Sequence, residues 1–270
     1  MSDWRPRLIA TDMDGTLLRD DDTVSEATVA ELFRWRAEGV PLVLATGRPP
    51  RWMSKIRDVV TSGTAVCCNG AVLLDLERFE VIDEIALAPA TLQEITAELR
   101  RRLPDVWFAV EYGLEFRHEP VYRPRWDVDA PGVAEATLAE LVSVPAAKLL
   151  ARSEATPRDA FVAAVEAVVG DRATVTHSSA DALAEISAPG VTKASGLATV
   201  AARHGVDPAD VVVFGDMPND LPMLAAVRDA GGRAVAVANA HPAVRAATAE
   251  LTSGNDADGV ARYLEAVLDV

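Results

Sequence analysis

Two aspartates two positions apart, Asp12 and Asp14, begin one residue after the apolar run Leu8-Ile9-Ala10. A short apolar run of this kind reads as a buried strand, so both carboxylates sit where a strand runs out into a loop. In open α/β sheets that is the end at which ligands bind. Placed there, Asp12 can attack a phosphorus atom and form an acyl-phosphate, which splits one difficult displacement into two easier ones. Asp14 is near enough to protonate a leaving oxygen and later to deprotonate a water. Gly15 lets the backbone approach a phosphate, and loop N–H groups cradle anions.

Three further stretches have matching chemistry. Thr46-Gly47-Arg48 follows a second apolar run, Val40–Ala45, and offers a hydroxyl and a glycine N–H to phosphate oxygens. Taken alone it is a weak signal, equally readable as a strand ending in a turn. Lys193 stands at an expected helix start, where a fixed ammonium can neutralise charge between a nucleophile and a phosphate; a lone lysine is ordinarily a solvated surface group. The run Val211–Phe214 leads into Gly215-Asp216-Met217-Pro218-Asn219-Asp220, a second acidic cluster at a strand end. Mg²⁺ is a hard cation that takes few protein carboxylates and keeps waters and substrate phosphate as its other ligands. Asp216, directly after the strand, is the best placed ligand. Asn219 and Asp220 are better placed to orient Asp216 or Lys193. This cluster also reads as a helix start with Pro222 in its first turn.

The elements needed to position these residues can be read from the pattern. Ser25 is expected to cap a helix near Glu26 with Val29, Leu32 and Phe33 facing the core, and Gly39 fits its end. A strand is expected at 65–68, ending in the turn dipeptide Asn69-Gly70. From about residue 83 the texture becomes α+β. A helix follows Pro89 with Leu92, Ile95 and Leu99 on one face, then strands at 106–112 and 114–118. A helix at 157–169 presents Phe161, Val165 and Val168, and short strands follow at 173–177 and 183–186. After Pro189-Gly190 the strand–helix alternation resumes with a helix at 193–204, the strand at 211–214, a helix near 220–227 and a strand at 233–238. One α/β core with a parallel sheet is therefore interrupted by an inserted α+β domain: 1–83 and 188–270 for the core, 84–187 for the insertion.

Bulk composition limits the options. The chain has 270 residues, half of them hydrophobic, with a net charge of −15. Such a balance argues against nucleic acid as a partner, and an anionic substrate then needs a metal or specific Lys and Arg. No apolar run approaches the roughly 20 residues of a membrane span. The polar N-terminus lacks a signal-peptide core. Cys67 and Cys68 are adjacent and read as buried strand residues in a reduced, cytoplasmic protein. Arg117, His118, Arg123 and Arg125 form a basic group in an acidic chain; it reads as a solvated face, with a polyanionic substrate as the alternative use. His177 and His204 have no companion pattern, and His241-Pro242 reads as a helix start.

Together the four stretches are far more specific than any one. In order and composition they resemble the haloacid dehalogenase (HAD) superfamily of phosphohydrolases. Its first motif is matched by Asp12–Thr16, its second by Thr46–Arg48, its third by Lys193 and its fourth by Gly215–Asp220. The long insertion resembles a type IIB cap, as in Cof-like sugar-phosphate phosphatases, and Asn69-Gly70-Ala71, Ala238-Asn239-Ala240 and Asn255–Val260 resemble that subfamily too. The resemblance implies a Rossmann-like core and a Mg²⁺-dependent phosphatase acting on a small phosphorylated metabolite. Asp12 would be nucleophile and Mg²⁺ ligand; Asp14 would be acid/base and lend its backbone carbonyl to the metal. Asp216 would be the third protein ligand, supported by Asn219 and Asp220. Thr46, Gly47 and Lys193 would hold the phosphoryl group, with Arg48 reaching the substrate beyond it. The cap would cover the site and contact the leaving group. A phosphomutase resembling the phosphomannomutases is the alternative, and a non-enzymatic binding protein the third reading. The acidic surface is compatible with a monomer.

Overall fold

The computed structural model describes residues 4–57, 59–122, 124, 130–176 and 182–268. Arg123, Arg125 and His177 lie outside them. The strands, in chain order, are β1 (Leu8–Asp12), β2 (Leu42–Ala45), β3 (Thr64–Cys67), β4 (Val72–Asp75), β5 (Glu80–Glu84), β6 (Trp107–Tyr112), β7 (Glu115–His118), β8 (Val133–Glu135), β9 (Lys148–Arg152), β10 (Thr174–Thr176), β11 (Leu183–Ser187), β12 (Val211–Gly215), β13 (Arg233–Ala236) and β14 (Glu250–Leu251). The main helices are α1 (Glu26–Ala37), α2 (Ser54–Arg57), α3 (Pro89–Arg102), α4 (Leu138–Leu141), α5 (Arg158–Val169), α6 (Lys193–His204), α7 (Leu221–Asp229), α8 (Pro242–Ala247) and α9 (Gly259–Leu268). The chain divides into two compact units, one of residues 1–48, 52–82 and 192–270, the other of 49–51 and 83–191.

The first unit is built on a sheet ordered β14-β13-β12-β1-β2-β3-β4-β5. Strands β14 through β3 pair in parallel, and β4 returns antiparallel to β3. The central strands β1, β2 and β12 are largely apolar and buried, as a sheet covered on both faces requires. One core cluster joins Leu8 and Ala10 of β1, Val43 of β2 and Val213 of β12 to Leu197 and Val200 of α6 and Met223 and Leu224 of α7. On α1 the buried residues are Thr28, Glu31, Leu32 and Trp35, while Phe33 is exposed. The core stripe is thus turned relative to the expected one. Trp35, three residues after Leu32, fills the place given to Phe33, because its large apolar surface gains more from burial.

Chain direction changes at β1. The chain runs from β1 through α1 to β2 on one side, and much later places β12 on the other side. Ligands bind at such a switch point, beyond the carboxyl ends of the strands. Register aligns Asp12 with Ala45 and Thr11 with Phe214, so the loops after β1, β2 and β12 leave the sheet side by side.

The second unit carries a sheet ordered β10-β11-β9-β6-β7-β8, with antiparallel pairs except β7 with β8. Helix α5 packs on β10 and β11, and α3 packs on α5. Phe161, Val165 and Val168 of α5 and Leu92, Ile95 and Leu99 of α3 are buried, as their spacing predicts. Strand β9 was not expected. Its register sets Lys148 opposite Glu111 of β6, and Lys148 donates to Glu185 of β11 at 2.8 Å. Arg51 closes the group with an ion pair to Glu111. Glu111, Lys148 and Glu185 are therefore buried together on one face of this sheet, with Arg51 half-buried beside them, and each has an oppositely charged neighbour. The described part of the expected basic group does not form one. His118 is buried, with its Nδ1 on the Glu119 carbonyl oxygen and its ring beside Phe116 and Tyr122. Arg117 pairs with Glu115. Adjacent residues on a strand face opposite ways, so a sequence run of basic residues is not a basic patch.

Candidate active site

Asp12 is the last residue of β1 and Lys193 the first of α6, 181 positions apart and both buried, at 4% and 2% exposure. The Lys193 ammonium donates to an Asp12 carboxylate oxygen and, at 2.7 Å, to Asp220 Oδ1. Local sequence explains its placement. Thr192 caps α6 by accepting from the Ser195 amide, and the Ser195 hydroxyl accepts from the Thr192 amide at 3.0 Å. Lys193 is thereby held at the first helical position. A cation is poorly matched to the positive end of a helix dipole. Burial also pulls the ammonium down, but Asp12 and Asp220 outweigh both effects and raise it above its ordinary value.

Asp216 follows β12 and is held from several sides. Its Oδ1 accepts from the Thr16 hydroxyl at 3.0 Å. Asp220 Oδ2 accepts from the amides of Asp216 and Met217 at 3.0 and 2.9 Å. Gly15, at φ +77°, passes so close that a Cβ there would lie 2.6 Å from Asp216 Oδ2, so this position of the first loop admits only glycine.

The carboxylates of Asp12, Asp216 and Asp220 each present an oxygen, and the three lie within 4.8 Å of one another. Burial pushes the Asp12 carboxyl up; Lys193 pulls it down, and Asp220 and Asp216 push it up again. Asp216 is pushed up to about 6 by burial and by the charge of Asp220, against the Thr16 hydrogen bond. Three crowded carboxylates facing one ammonium leave an excess of negative charge. A hard divalent cation fits that oxygen donor set. Asp220 spends its oxygens on Lys193 and two amides, which leaves Asp12 and Asp216 as the carboxylates best able to take a cation.

The remaining candidates lie around this centre. Thr46 directly follows β2, is buried, and its hydroxyl accepts from the Arg48 amide at 3.0 Å. Its carbonyl accepts from the Asn69 amide at 2.9 Å. Gly47 runs close to the Asn69 side chain. Asn219 donates to Asn69 Oδ1 at 3.3 Å. Asn69 thus joins the loops after β2 and β12, a role that its reading as a plain turn did not include. Its own left-handed backbone, at φ 55°, accounts for the Asn-Gly pair. Asp14 is set apart from the carboxylate cluster. Its half-exposed carboxylate accepts from Arg48 Nε at 2.9 and 3.1 Å and from Arg48 Nη2, which also reaches Asp22 at 2.6 Å. Cys67 and Cys68 are buried and form no disulfide.

Known proteins resemble the chain over nearly its whole length. Residues 9–264 match the family described as haloacid dehalogenase-like hydrolase. The chain is 29% identical to 5-amino-6-(5-phospho-D-ribitylamino)uracil phosphatase YitU of Bacillus subtilis, over 97% of both proteins. It is 25% identical to pyridoxal phosphate phosphatase YbhA of Escherichia coli, over 96% of this chain and 97% of that one. Among solved structures, a haloacid dehalogenase-like hydrolase from Bacteroides thetaiotaomicron superimposes with a TM-score of 0.80 at 24% identity, covering 98% of this chain and 99% of its own. The HAD subclass IIB sugar phosphatase BT4131 gives 0.78 at 20% identity, covering 97% and 99%. No helix among the described residues is long and apolar enough to cross a membrane. The chain belongs to the haloacid dehalogenase-like hydrolases, and within that family it is a phosphatase.

Proposed function

We propose that this enzyme removes the phosphoryl group of a small phosphorylated metabolite by way of an aspartyl-phosphate on Asp12, with Mg²⁺ as its cofactor. The observation that carries the reading is Asp12 itself: a buried carboxylate at the switch point of the sheet, paired with Lys193 and crowded by Asp216. Relatives named as phosphatases of a ribitylaminouracil phosphate and of pyridoxal phosphate support a small organic phosphate as substrate.

Lys193 and Thr46, with the Gly47 amide, bind the phosphoryl oxygens. An Asp12 carboxylate oxygen attacks phosphorus as the bond to the leaving oxygen breaks, and Asp14 gives that oxygen a proton. Asp14 then takes a proton from a water, whose oxygen attacks phosphorus. The Asp12–phosphorus bond breaks, and inorganic phosphate leaves with Asp12 restored. Asp12, Asp216 and the Asp14 carbonyl would hold the Mg²⁺, which when bound offsets charge on the phosphoryl oxygens. Asp14 reaches its proton-transfer role by leaving the guanidinium of Arg48, which then becomes available to the substrate.

The test is phosphate release from a panel of sugar, sugar-alcohol and pyridoxal phosphates, with Mg²⁺ and with EDTA, beside Asp12→Asn. Release that needs Mg²⁺ and vanishes in the variant is expected. Isomerised sugar phosphate without released phosphate would establish a mutase instead. Turnover by Asp12→Asn equal to that of the wild type would overturn the mechanism.

A further inference from the structure

The segment Ala238–His241, between β13 and α8, has no part in the chemistry above, yet it touches both loops that carry it. The Asn239 side-chain amide donates from Nδ2 to the Gly15 carbonyl oxygen at 2.7 Å. Two residues on, the His241 amide donates to the Asp216 carbonyl oxygen at 2.8 Å. Asn239 is itself held from behind, its Oδ1 accepting from the Asn255 amide at 3.0 Å. Asn255 is buried, and its Nδ2 donates at 3.0 Å to the Leu18 carbonyl and at 3.0 Å to Asp20 Oδ1. The loop after β1 is therefore fastened at both ends, at Gly15 by Asn239 and at Leu18 by Asn255.

The fastening bears on the carboxylate cluster through one peptide unit. The Gly15 carbonyl belongs to the Gly15–Thr16 peptide, and Thr16 is the residue whose hydroxyl holds Asp216 Oδ1. Gly15 packs directly against Asp216 Oδ2. Rotation of that peptide would move the Thr16 donor and close or open the space beside Asp216. It would equally turn the backbone at Asp14, one residue earlier. An amide side chain suits the position because it donates to one backbone group and accepts from another at once. Asn239 is exposed, so these bonds add little to the stability of the fold; their geometry falls on the loop.

We propose that Asn239, braced by Asn255, is a positioning residue for the divalent-cation site: it sets the Gly15–Thr16 peptide, and through it the Asp14 carbonyl and the Asp216 carboxylate. This rests on the metal reading given above. Groups that orient metal ligands in this way typically contribute about 10–100-fold in metal affinity.

Mn²⁺ binding, followed by electron paramagnetic resonance of the free ion, tests it without turnover. Asn239→Ala should bind Mn²⁺ about tenfold more weakly than the wild type while melting in EDTA within about 2 °C of it. Asn255→Ala, which unfastens Leu18 and Asp20 but keeps the backbone amide that holds Asn239, should weaken binding severalfold, less than Asn239→Ala does. The Mg²⁺ concentration for half-maximal phosphate release should rise in parallel, with the rate at saturating Mg²⁺ largely recovered. A purely structural role would lower the melting temperature and leave Mn²⁺ affinity alone. Affinities of both variants within twofold of the wild type would overturn the role of Asn239. Failure of the wild type to bind Mn²⁺ would overturn the metal reading and this inference with it.

Discussion

Arg48 grips Asp14 with two guanidinium nitrogens and holds Asp22 with one of them, so the carboxylate proposed as acid/base is engaged in an ion pair. Half of the Asp14 carboxylate faces solvent, and exposed pairs of this kind contribute at most about 1 kcal/mol. A substrate oxyanion that draws Arg48 away therefore frees Asp14 at small cost.

That relationship separates the two residues kinetically. Asp14→Asn removes a proton carrier and should lower kcat about 10²–10⁴-fold, with affinity for a phosphate-mimicking oxyanion such as vanadate retained. Arg48→Ala frees Asp14 and loses a substrate contact, so it should raise KM more than it lowers kcat. Steady-state kinetics on one substrate decide the matter. A kcat loss in Arg48→Ala as large as that in Asp14→Asn would show that Arg48 acts in the proton transfer itself.

Asp12→Asn keeps the size of the side chain and removes the nucleophile. Turnover should fall by at least about 10⁴-fold. Lys193 keeps Asp220 as a partner in this variant, so the fold should survive, with a far-ultraviolet circular dichroism spectrum matching the wild type. Loss of activity together with loss of that spectrum would leave no argument for the nucleophile.

Lys193→Ala should damage the fold as well as the activity. The ammonium is the shared partner of Asp12 and Asp220, both buried. Breaking a buried pair by removing one member typically costs about 3–5 kcal/mol, because charge is left uncompensated. Without Lys193, which pulls the Asp12 carboxyl down, Asp12 takes up a proton more readily, so the loss should be smaller at pH 5 than at pH 8. Urea unfolding of wild type and variant at both values measures this. A loss that is the same at both, or larger at pH 5, would contradict the proposed compensation.

These pairings mark what a sequence can and cannot convey. The parallel strands were legible because β1, β2 and β12 are short apolar runs ending in loop residues, and α6 was legible because the strand–helix alternation resumes after Pro189-Gly190. That Lys193 turns inward was legible only through the family resemblance, since its partners are 181 and 27 residues away and nothing near it in sequence marks a lysine as buried. Strand β9 was missed for the same reason. Lys148 at its start looks like a solvent-facing charge until Glu185 and Glu111 are brought beside it. On α1, periodicity placed the helix, but Phe33 and Trp35 competed for the core, and tertiary packing decided between them. Asn239 and Asn255 were noticed only for their resemblance to a subfamily. Their contacts with Gly15 and Leu18 span more than 220 residues.

Glu111 supplies a pH dependence separate from the active site. It is buried on the sheet of the second unit, facing Arg51, Lys148, Glu185 and Tyr122. Burial pushes its carboxyl up, against the pull of Arg51 and Lys148, from the ordinary 4.5 to about 7. A carboxyl whose value is higher folded than unfolded binds more protons in the native state across that interval. Its contribution is therefore fully present below about pH 4.5 and is lost as pH rises towards 7. The loss amounts to about 1–3 kcal/mol, allowing for the coupled charges around it. Glu111→Gln retains volume and an acceptor for Arg51 but does not titrate. The stability of the wild type relative to Glu111→Gln, from urea midpoints at pH 5, 6, 7 and 8, should thus decline as pH rises. A relative stability that increases with pH would mean that the Arg51 ion pair outweighs burial and holds Glu111 below its ordinary value.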